Sequence, residues 1–370
     1  MSENKRRILQ RERNPHLFRP IEFRSVKASN RIMLSPMCQY SATDGMPEEW
    51  HYVHLASRAV GGAGIVFTEA THVAPEGRIT PNCLGIWNDG QRDAFKRIVE
   101  FVADRGALPA LQIGHAGRKS STRRPWDGAG PIMADEPDGW QVIGPSALPY
   151  ADFQTPEEMN GDAIARVLQQ FADAARRGRE AGFRLIELHA AHGYLAHSYL
   201  SPLSNVRTDA YGGTLENRAR MLMETIDAIR SEWPDDLPLF VRLSCTDWVE
   251  GGLTVDDTVA VARMLKASGK VDLIDCSSGG NDPRQQIPIH PGYQVPFAER
   301  IRRDAEIATS AVGLLHSPDF CEEVVANGRA DLVVLGRTLL ADPYWPMHAA
   351  SKLRAENFAW PVQYERSDIF

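Results

Sequence analysis

The sequence has no long hydrophobic run: nowhere does an apolar stretch approach the roughly 20 residues that a membrane-crossing helix needs. Residues 1–16 are polar and charged without an apolar centre, so they do not read as a secretory signal. Cysteine is scarce. The five present, Cys38, Cys83, Cys245, Cys276 and Cys321, are odd in number and never spaced Cys-x-x-Cys. That argues against both a disulfide framework and an iron–sulfur cluster. A basic surplus is missing too, since 41 Lys and Arg against 48 Asp and Glu leave a net charge of −7, no field for a nucleic acid. Together these absences predict a soluble, reduced, cytoplasmic protein that binds neither nucleic acid nor membrane.

What is present is a rhythm. The 370 residues are 43% hydrophobic, enough for one large core. Apolar runs that read as strands recur at 32–37, 64–70, 108–115, 183–189, 239–244, 273–278, 307–313 and 331–337. Each precedes a stretch that can be helical: 48–60, 91–105, 161–180, 215–233, 255–268, 296–304, 318–327 and 343–354. Eight such pairs predict an α/β fold, the (β/α)8 TIM barrel. A doubly wound sheet shares the alternation, but Gly61-Gly62-Ala63-Gly64 precedes a strand, where a dinucleotide fingerprint would follow one. Ahead of the barrel, 17–23 and 31–36 read as strands joined by a turn at Ser29-Asn30, an N-terminal β-hairpin. Residues 117–155 form one long connection rich in Gly, Pro, Ser and Asp. Following a strand's C-terminal end, it is expected to lie on the active-site face as a lid. The domain reading is a polar lead at 1–16 and a single barrel domain at 17–370, which includes the excursion and a tail at 360–370.

Chemistry in a barrel collects at the C-terminal ends of strands, and the polar residues here gather in those places. Strand four runs out in His189, His192 and Tyr194. Three readings stand open for them. They are core histidines satisfied by backbone, a zinc pair lacking a nearby third ligand, or a two-donor clamp on an anionic or carbonyl oxygen with Tyr194 as proton donor. Strand one ends in Ser35, Pro36, Met37, Cys38 and Tyr40, strand two in Ala70, and strand three carries Gln112. Arg242 lies on strand five, while strands seven and eight end in Gly313 and in Gly336-Arg337. The last two places suit a phosphate, because glycine lets backbone N–H groups approach and arginine adds a bidentate cation. Gln112 offers a donor and an acceptor to a pyrimidine edge, and Cys38 a weak hydrogen bond to a ring oxygen. Arg242 can balance negative charge on such a ring.

At these residues the chain resembles the old yellow enzyme family of FMN-dependent ene-reductases, in particular its bacterial thermophilic-like and xenobiotic reductase branch. The similar stretches are Ser35-Pro36-Met37-Cys38, Glu69-Ala70, Gln112 with His115-Ala116-Gly117-Arg118-Lys119, and His189-Ala190-Ala191-His192-Gly193-Tyr194. Ser201-Pro202-Leu203-Ser204-Asn205, Tyr211-Gly212-Gly213, Glu216-Asn217-Arg218 and the run from Gly328 to Arg337 continue the likeness.

The resemblance implies FMN as cofactor, with Ser35, Pro36, Met37, Cys38, Ala70, Gln112 and Arg242 around its ring and Gly313, Gly336 and Arg337 at its phosphate. It implies NADPH or NADH as reductant and an activated alkene, nitro compound or quinone as substrate. His189 and His192 would hold the substrate oxygen, Tyr194 would give the proton and Tyr40 would close the pocket. Gln363-Tyr364-Glu365-Arg366 matches a tail that in this branch places an arginine in the neighbouring subunit's site, which implies a homodimer or homotetramer. Departures are Ala341, where some relatives carry Arg, and the extra Ser367-Asp368-Ile369-Phe370. The rivals want other parts: a barrel aldolase needs a Schiff-base lysine at a strand end, and a hydrolase needs zinc at His189 and His192.

Overall fold

The computed structural model describes residues 14–367. The expected polar lead therefore lies almost wholly outside the described residues, as do the last three positions of the tail. Eight parallel strands form the barrel: β1 Ile32–Leu34, β2 Ile65–Phe67, β3 Leu108–Gly114, β4 Leu185–Ala190, β5 Leu239–Ser244, β6 Leu273–Ser277, β7 Ala308–Ala311 and β8 Leu332–Leu335. Neighbours pair in sequence order, and β8 pairs β1 to close the ring. Strand residues are buried almost throughout, as parallel strands wrapped by helices must be.

The helices are α1 Glu49–Val60, α2 Asp89–Asp104, α3 Gly161–Ala181, α4 Leu215–Glu232, α5 Val255–Ser268, α6 Val295–Ala305, α7 Pro318–Ala326 and α8 Trp345–Leu353. Their ends are written locally. Asn88 and Thr254 close capping boxes with Gln91 and Asp257, and Asn160 accepts from Ala163 N–H at 2.9 Å, each satisfying a donor that a first turn leaves unpaired. Two short helices stand outside the rhythm, Leu195–Leu200 behind β4 and Arg337–Ala341 behind β8.

The expected hairpin is present with a different pairing. Leu17 belongs to a 3-10 turn, His16–Phe18, and the hairpin joins Ile21–Phe23 to Val26–Ala28. The two-residue loop Arg24-Ser25 makes the turn, with Arg24 at φ +50°, instead of Ser29-Asn30. Lacking Gly or Asn, that loop carries no ordinary turn signal. Ser25 N–H bonds to Asp236 O at 3.0 Å and the Phe23 ring meets Phe240 edge-on at 4.9 Å. The hairpin thus covers the end of the barrel where β5 begins.

Strands one and seven are shorter than expected, stopping at Leu34 and Ala311. Pro36 has no N–H to extend the ladder, and Gly313 at φ +130° bends the chain out of strand geometry. The residues so released, Met37 to Tyr40 and Val312 onward, line the barrel mouth.

Candidate active site

His189 is the penultimate residue of β4, and its side chain shares the inward face with Glu187 one layer below, by the two-residue period of a strand. His189 Nδ1 accepts the Ala191 N–H at 3.3 Å, so the proton of the neutral ring sits on Nε2. Burial, and then the Arg242 charge, hold His189 well below the ordinary imidazole range. The ring is neutral at pH 7 and presents one N–H.

His192 follows at φ +60°, a conformation that costs a non-glycine residue roughly 1–3 kcal/mol. Three contacts keep it there. Its N–H donates to Ser244 Oγ at 2.9 Å, its Nε2 meets Ser277 Oγ at 2.7 Å, and its carbonyl accepts from Lys119 Nζ at 2.9 Å. With Ser277 as the donor to Nε2, the ring proton is left on Nδ1. Burial and His189 keep this imidazole neutral as well. The next residue must be glycine: at Gly193, φ +77°, a Cβ would lie 2.4 Å from Gly280 O.

Tyr194 precedes the Leu195–Leu200 helix, half-buried. The three rings form a T-shaped cluster, with centroids 5.1 Å apart for His189–His192, 4.9 Å for His189–Tyr194 and 6.5 Å for His192–Tyr194. Burial, and then Cys38, push the Tyr194 phenol far above its usual range, so it keeps its proton. Tyr194, Tyr40 and Cys38 pack together against Ile79, Cys83 and Ala116. The Cys38 thiol is raised by its Cys83 neighbour and by burial, which makes it a thiol and not a thiolate. Trp126 of the excursion stacks edge-on upon Tyr40 at 5.8 Å, and Lys119 lies 4.3 Å above the Tyr150 ring and 5.4 Å above Tyr194. The 117–155 segment therefore reaches over this cluster.

A second set surrounds a cleft of about 410 Å³ lined by Arg242, Ser277, Gly313, Leu314, Gly336 and Arg337. Arg337 makes no ion pair among the described residues, so its charge is open to a ligand. Gly313 stands at φ +130°, and a Cβ there would lie 3.2 Å from the Tyr293 ring. Ser35 Oγ accepts from Arg242 Nη1 at 3.4 Å, and Met37 Sδ borders Gly336. Pro36 is half-buried and Ala70 buried. Gln112 donates from Nε2 to Glu187 Oε1 at 2.7 Å. Arg242 Nε lies 3.1 Å from Asp275 Oδ2, out of hydrogen-bond alignment. Arg242 Nε, Asp275 Oδ2 and Glu187 Oε2 are all buried without a hydrogen-bond partner.

Arg366 stands apart. It is exposed in a terminal 3-10 turn, Glu365–Ser367, with no ion pair among the described residues. Ser244, Ser277, Lys119 and Glu187 escaped sequence reasoning as site residues; they act through contacts between neighbouring strands and loops, which only register reveals. Among the described residues no group of three His, Cys, Asp or Glu is arranged to hold a metal, so the zinc pair finds no third ligand.

Residues 16–356 match the model of the NADH:flavin oxidoreductase / NADH oxidase family. The chain belongs to that family, the old yellow enzymes. It is 49% identical over 353 residues to an NADPH dehydrogenase of Geobacillus sp. (strain WCH70), covering 95% of this chain and 98% of the relative. With the NADPH dehydrogenase of Bacillus subtilis (strain 168) the identity is 45% over the same shares. Among solved structures, morphinone reductase in complex with tetrahydroNAD superposes with a TM-score of 0.76 at 27% identity, over 92% of each chain. The 2-naphthoyl-CoA reductase gives 0.82 at 28% identity over 91% of this chain but only 52% of its own, so this chain spans about half of it.

An old yellow enzyme is a flavin oxidoreductase whose cofactor is FMN, and the residues present fit that group. The open Arg337 cation with two bordering glycines suits a phosphate. The buried polar layer of Gln112, Glu187 and Arg242, in which Glu187 Oε2 has no hydrogen-bond partner among the described residues, suits a hydrogen-bonding ring more than a dry core. No helix among the described residues is long and apolar enough to cross a membrane.

Proposed function

We propose that the protein reduces activated carbon–carbon double bonds, those conjugated to a carbonyl, and also nitro compounds and quinones, using NADPH or NADH. The reading rests chiefly on one observation: two imidazoles and one phenol, all held neutral by burial, converge at the barrel mouth. Bound FMN would supply the hydride chemistry that links the nicotinamide to the substrate. Ser35, Pro36, Met37, Cys38, Ala70, Gln112 and Arg242 would border its ring, and Gly313, Gly336 and Arg337 its phosphate.

This chain's own residues do the rest. Negative charge gathers on the substrate oxygen as the β-carbon is reduced. His189 Nε2–H and His192 Nδ1–H are aimed to share that charge, a device worth about 3 kcal/mol per donor in comparable sites. Because both rings are neutral, they stabilise the charge as donors without transferring their protons. Tyr194 then delivers its phenolic proton to the α-carbon, as a general acid. Tyr40 narrows the pocket, with Trp126 behind it. The names of the Geobacillus and Bacillus relatives favour NADPH as the donor. Arg366, without an ion pair among the described residues, is assigned to a neighbouring subunit's site in a homodimer or homotetramer.

The decisive experiment is an anaerobic NADPH titration of the purified protein followed by cyclohexenone. Flavin absorption that bleaches and then returns is the expected result. A protein with no flavin that cannot be reconstituted with FMN would overturn the assignment.

A further inference from the structure

A TIM-barrel interior is ordinarily filled by layers of branched apolar side chains. In this barrel one stretch of the interior is polar over five consecutive strands. Gln112 of β3 stands in register with Glu187 of β4. Arg242 of β5 stands in register with Asp275 of β6, and Asp275 with Ser310 of β7. Gln112 Nε2 donates to Glu187 Oε1 at 2.7 Å, Arg242 Nε faces Asp275 Oδ2 at 3.1 Å, and Ser310 Oγ donates to Asp275 Oδ1 at 2.7 Å. Gln112 and Arg242 are 1% and 5% exposed, and Glu187, Asp275 and Ser310 are completely buried. The mechanism above uses Gln112 and Arg242 and leaves Glu187 without a task.

We propose that Glu187 is a positioning residue: by taking one N–H of Gln112 it fixes the sense of that amide, so that Oε1 is presented to the ring of FMN. An amide can rotate by half a turn at little cost in shape, exchanging a donor for an acceptor. An ionised carboxyl at 2.7 Å removes that freedom, because it only accepts and the flipped amide would set two oxygens against each other, whereas a protonated carboxyl could donate to the flipped amide. The proposal rests on the assignment of Gln112 to the FMN ring.

Charge gives Glu187 a second consequence. Two carboxyl groups and a single guanidinium share this buried layer. Asp275 faces the guanidinium directly, whereas Glu187 faces a neutral amide. Burial, and then the Asp275 charge, push Glu187 up to about 8 against the opposing pull of Arg242 and Gln112. Glu187 thus takes up a proton more readily than an ordinary carboxyl, and its hold on the amide tightens as it ionises. As pH rises through about 8, Glu187 ionises and adds a negative charge beside Arg242, which makes reduction of a ring bound there less favourable.

The test compares Glu187→Gln, Glu187→Leu, Gln112→Leu and the double variant Glu187→Leu/Gln112→Leu. The readouts are FMN affinity of the apoprotein, from flavin fluorescence quenching, and the midpoint potential of the holoenzyme from pH 6.5 to 9. Glutamine can still accept from Gln112, so Glu187→Gln is expected to bind FMN within about twofold of the parent. Glu187→Leu is expected to bind about tenfold more weakly, in line with one lost buried hydrogen bond, and the double variant no more weakly than Gln112→Leu. The parent's potential should fall more steeply above pH 8 than that of Glu187→Gln. If Gln112→Leu weakens FMN binding but Glu187→Leu does not, Glu187 plays no positioning part and the proposal falls alone. If Gln112→Leu itself leaves FMN affinity unchanged, the ring contact is wrong and the proposal falls with it. Parallel potential slopes, or a Glu187→Gln protein as impaired as Glu187→Leu, also overturn it.

Discussion

Among the described residues the Tyr194 hydroxyl makes no hydrogen bond to an acidic or basic side chain, and burial keeps its phenol protonated. On the proposed reading its value is confined to the step in which a carbanion-like α-carbon forms. Tyr194→Phe should slow the alkene-dependent half-reaction by about 100-fold or more while leaving nicotinamide-dependent flavin reduction nearly unchanged. Stopped-flow measurement of the two halves separates them, and equal losses in both would reduce Tyr194 to a wall of the pocket. Ser277 makes a subtler case. It meets His192 Nε2 at 2.7 Å, and as the donor there it would leave the ring proton on Nδ1. Ser277→Ala should raise the KM for an enone by up to about tenfold, the value of one neutral hydrogen bond, and Ser277→Thr should restore it. No change in KM would mean that His192 keeps its tautomer unaided. The sequence made His189, His192 and Tyr194 legible because they share one strand end. It could not show Ser277, Ser244 or Glu187, whose meaning lies in which strand stands beside which.

At the scale of elements, strand ends were legible because the apolar run breaks where the polar residues begin. All eight barrel strands fall within the expected stretches or one residue beyond them. The misread element was the hairpin, since Arg24-Ser25 turns the chain without the residues that normally announce a turn. The excursion was legible as a long covering segment, but not in the contacts that tie it down. It is tied down by Trp140 Nε1 donating to Glu76 O at 2.8 Å, by Ser121 Oγ donating to Ile132 O at 2.8 Å, and by pairing of Ile143–Gly144 with Glu157–Glu158. Its Trp126 is largely exposed, yet its edge-on contact with Tyr40 links it to the site. Such an aromatic pair is worth about 0.5–1.5 kcal/mol. Trp126→Ala should accordingly raise KM for a small enone by about two- to tenfold, with flavin reduction by NADPH unaltered. Steady-state and half-reaction kinetics together check this, and an unchanged KM would detach the excursion from catalysis.

For the whole molecule, burial sets the pH response. His54 and His72 are pressed down to about 3 and His115 to about 4, in each case first by burial, and His189 and His192 are lowered as well. A histidine with a depressed folded pKa binds fewer protons folded than unfolded. Its contribution is fully present above the unfolded value of ~6.5 and is lost as pH falls below it, at up to ~1.4 kcal/mol per pH unit for each ring. The melting temperature should consequently drop between pH 7.5 and 5.5; a flat profile would mean that these rings are hydrated in solution.

Assembly is the scale at which the single chain says least, yet the tail allows a sharp test. Arg366 lies in an exposed terminal turn and makes no ion pair among the described residues. If it serves a neighbouring subunit, Arg366→Ala should perturb turnover or substrate preference as deletion from Gln363 onward does. Complementation then becomes possible. A Tyr194→Phe subunit retains a working arginine, and an Arg366→Ala subunit retains a working site. Mixed and reassembled, the two should regain activity that neither shows alone, because the arginine of the first completes the site of the second. Mixtures that do no better than the average of their parts would confine each active site to one chain and leave the tail outside catalysis.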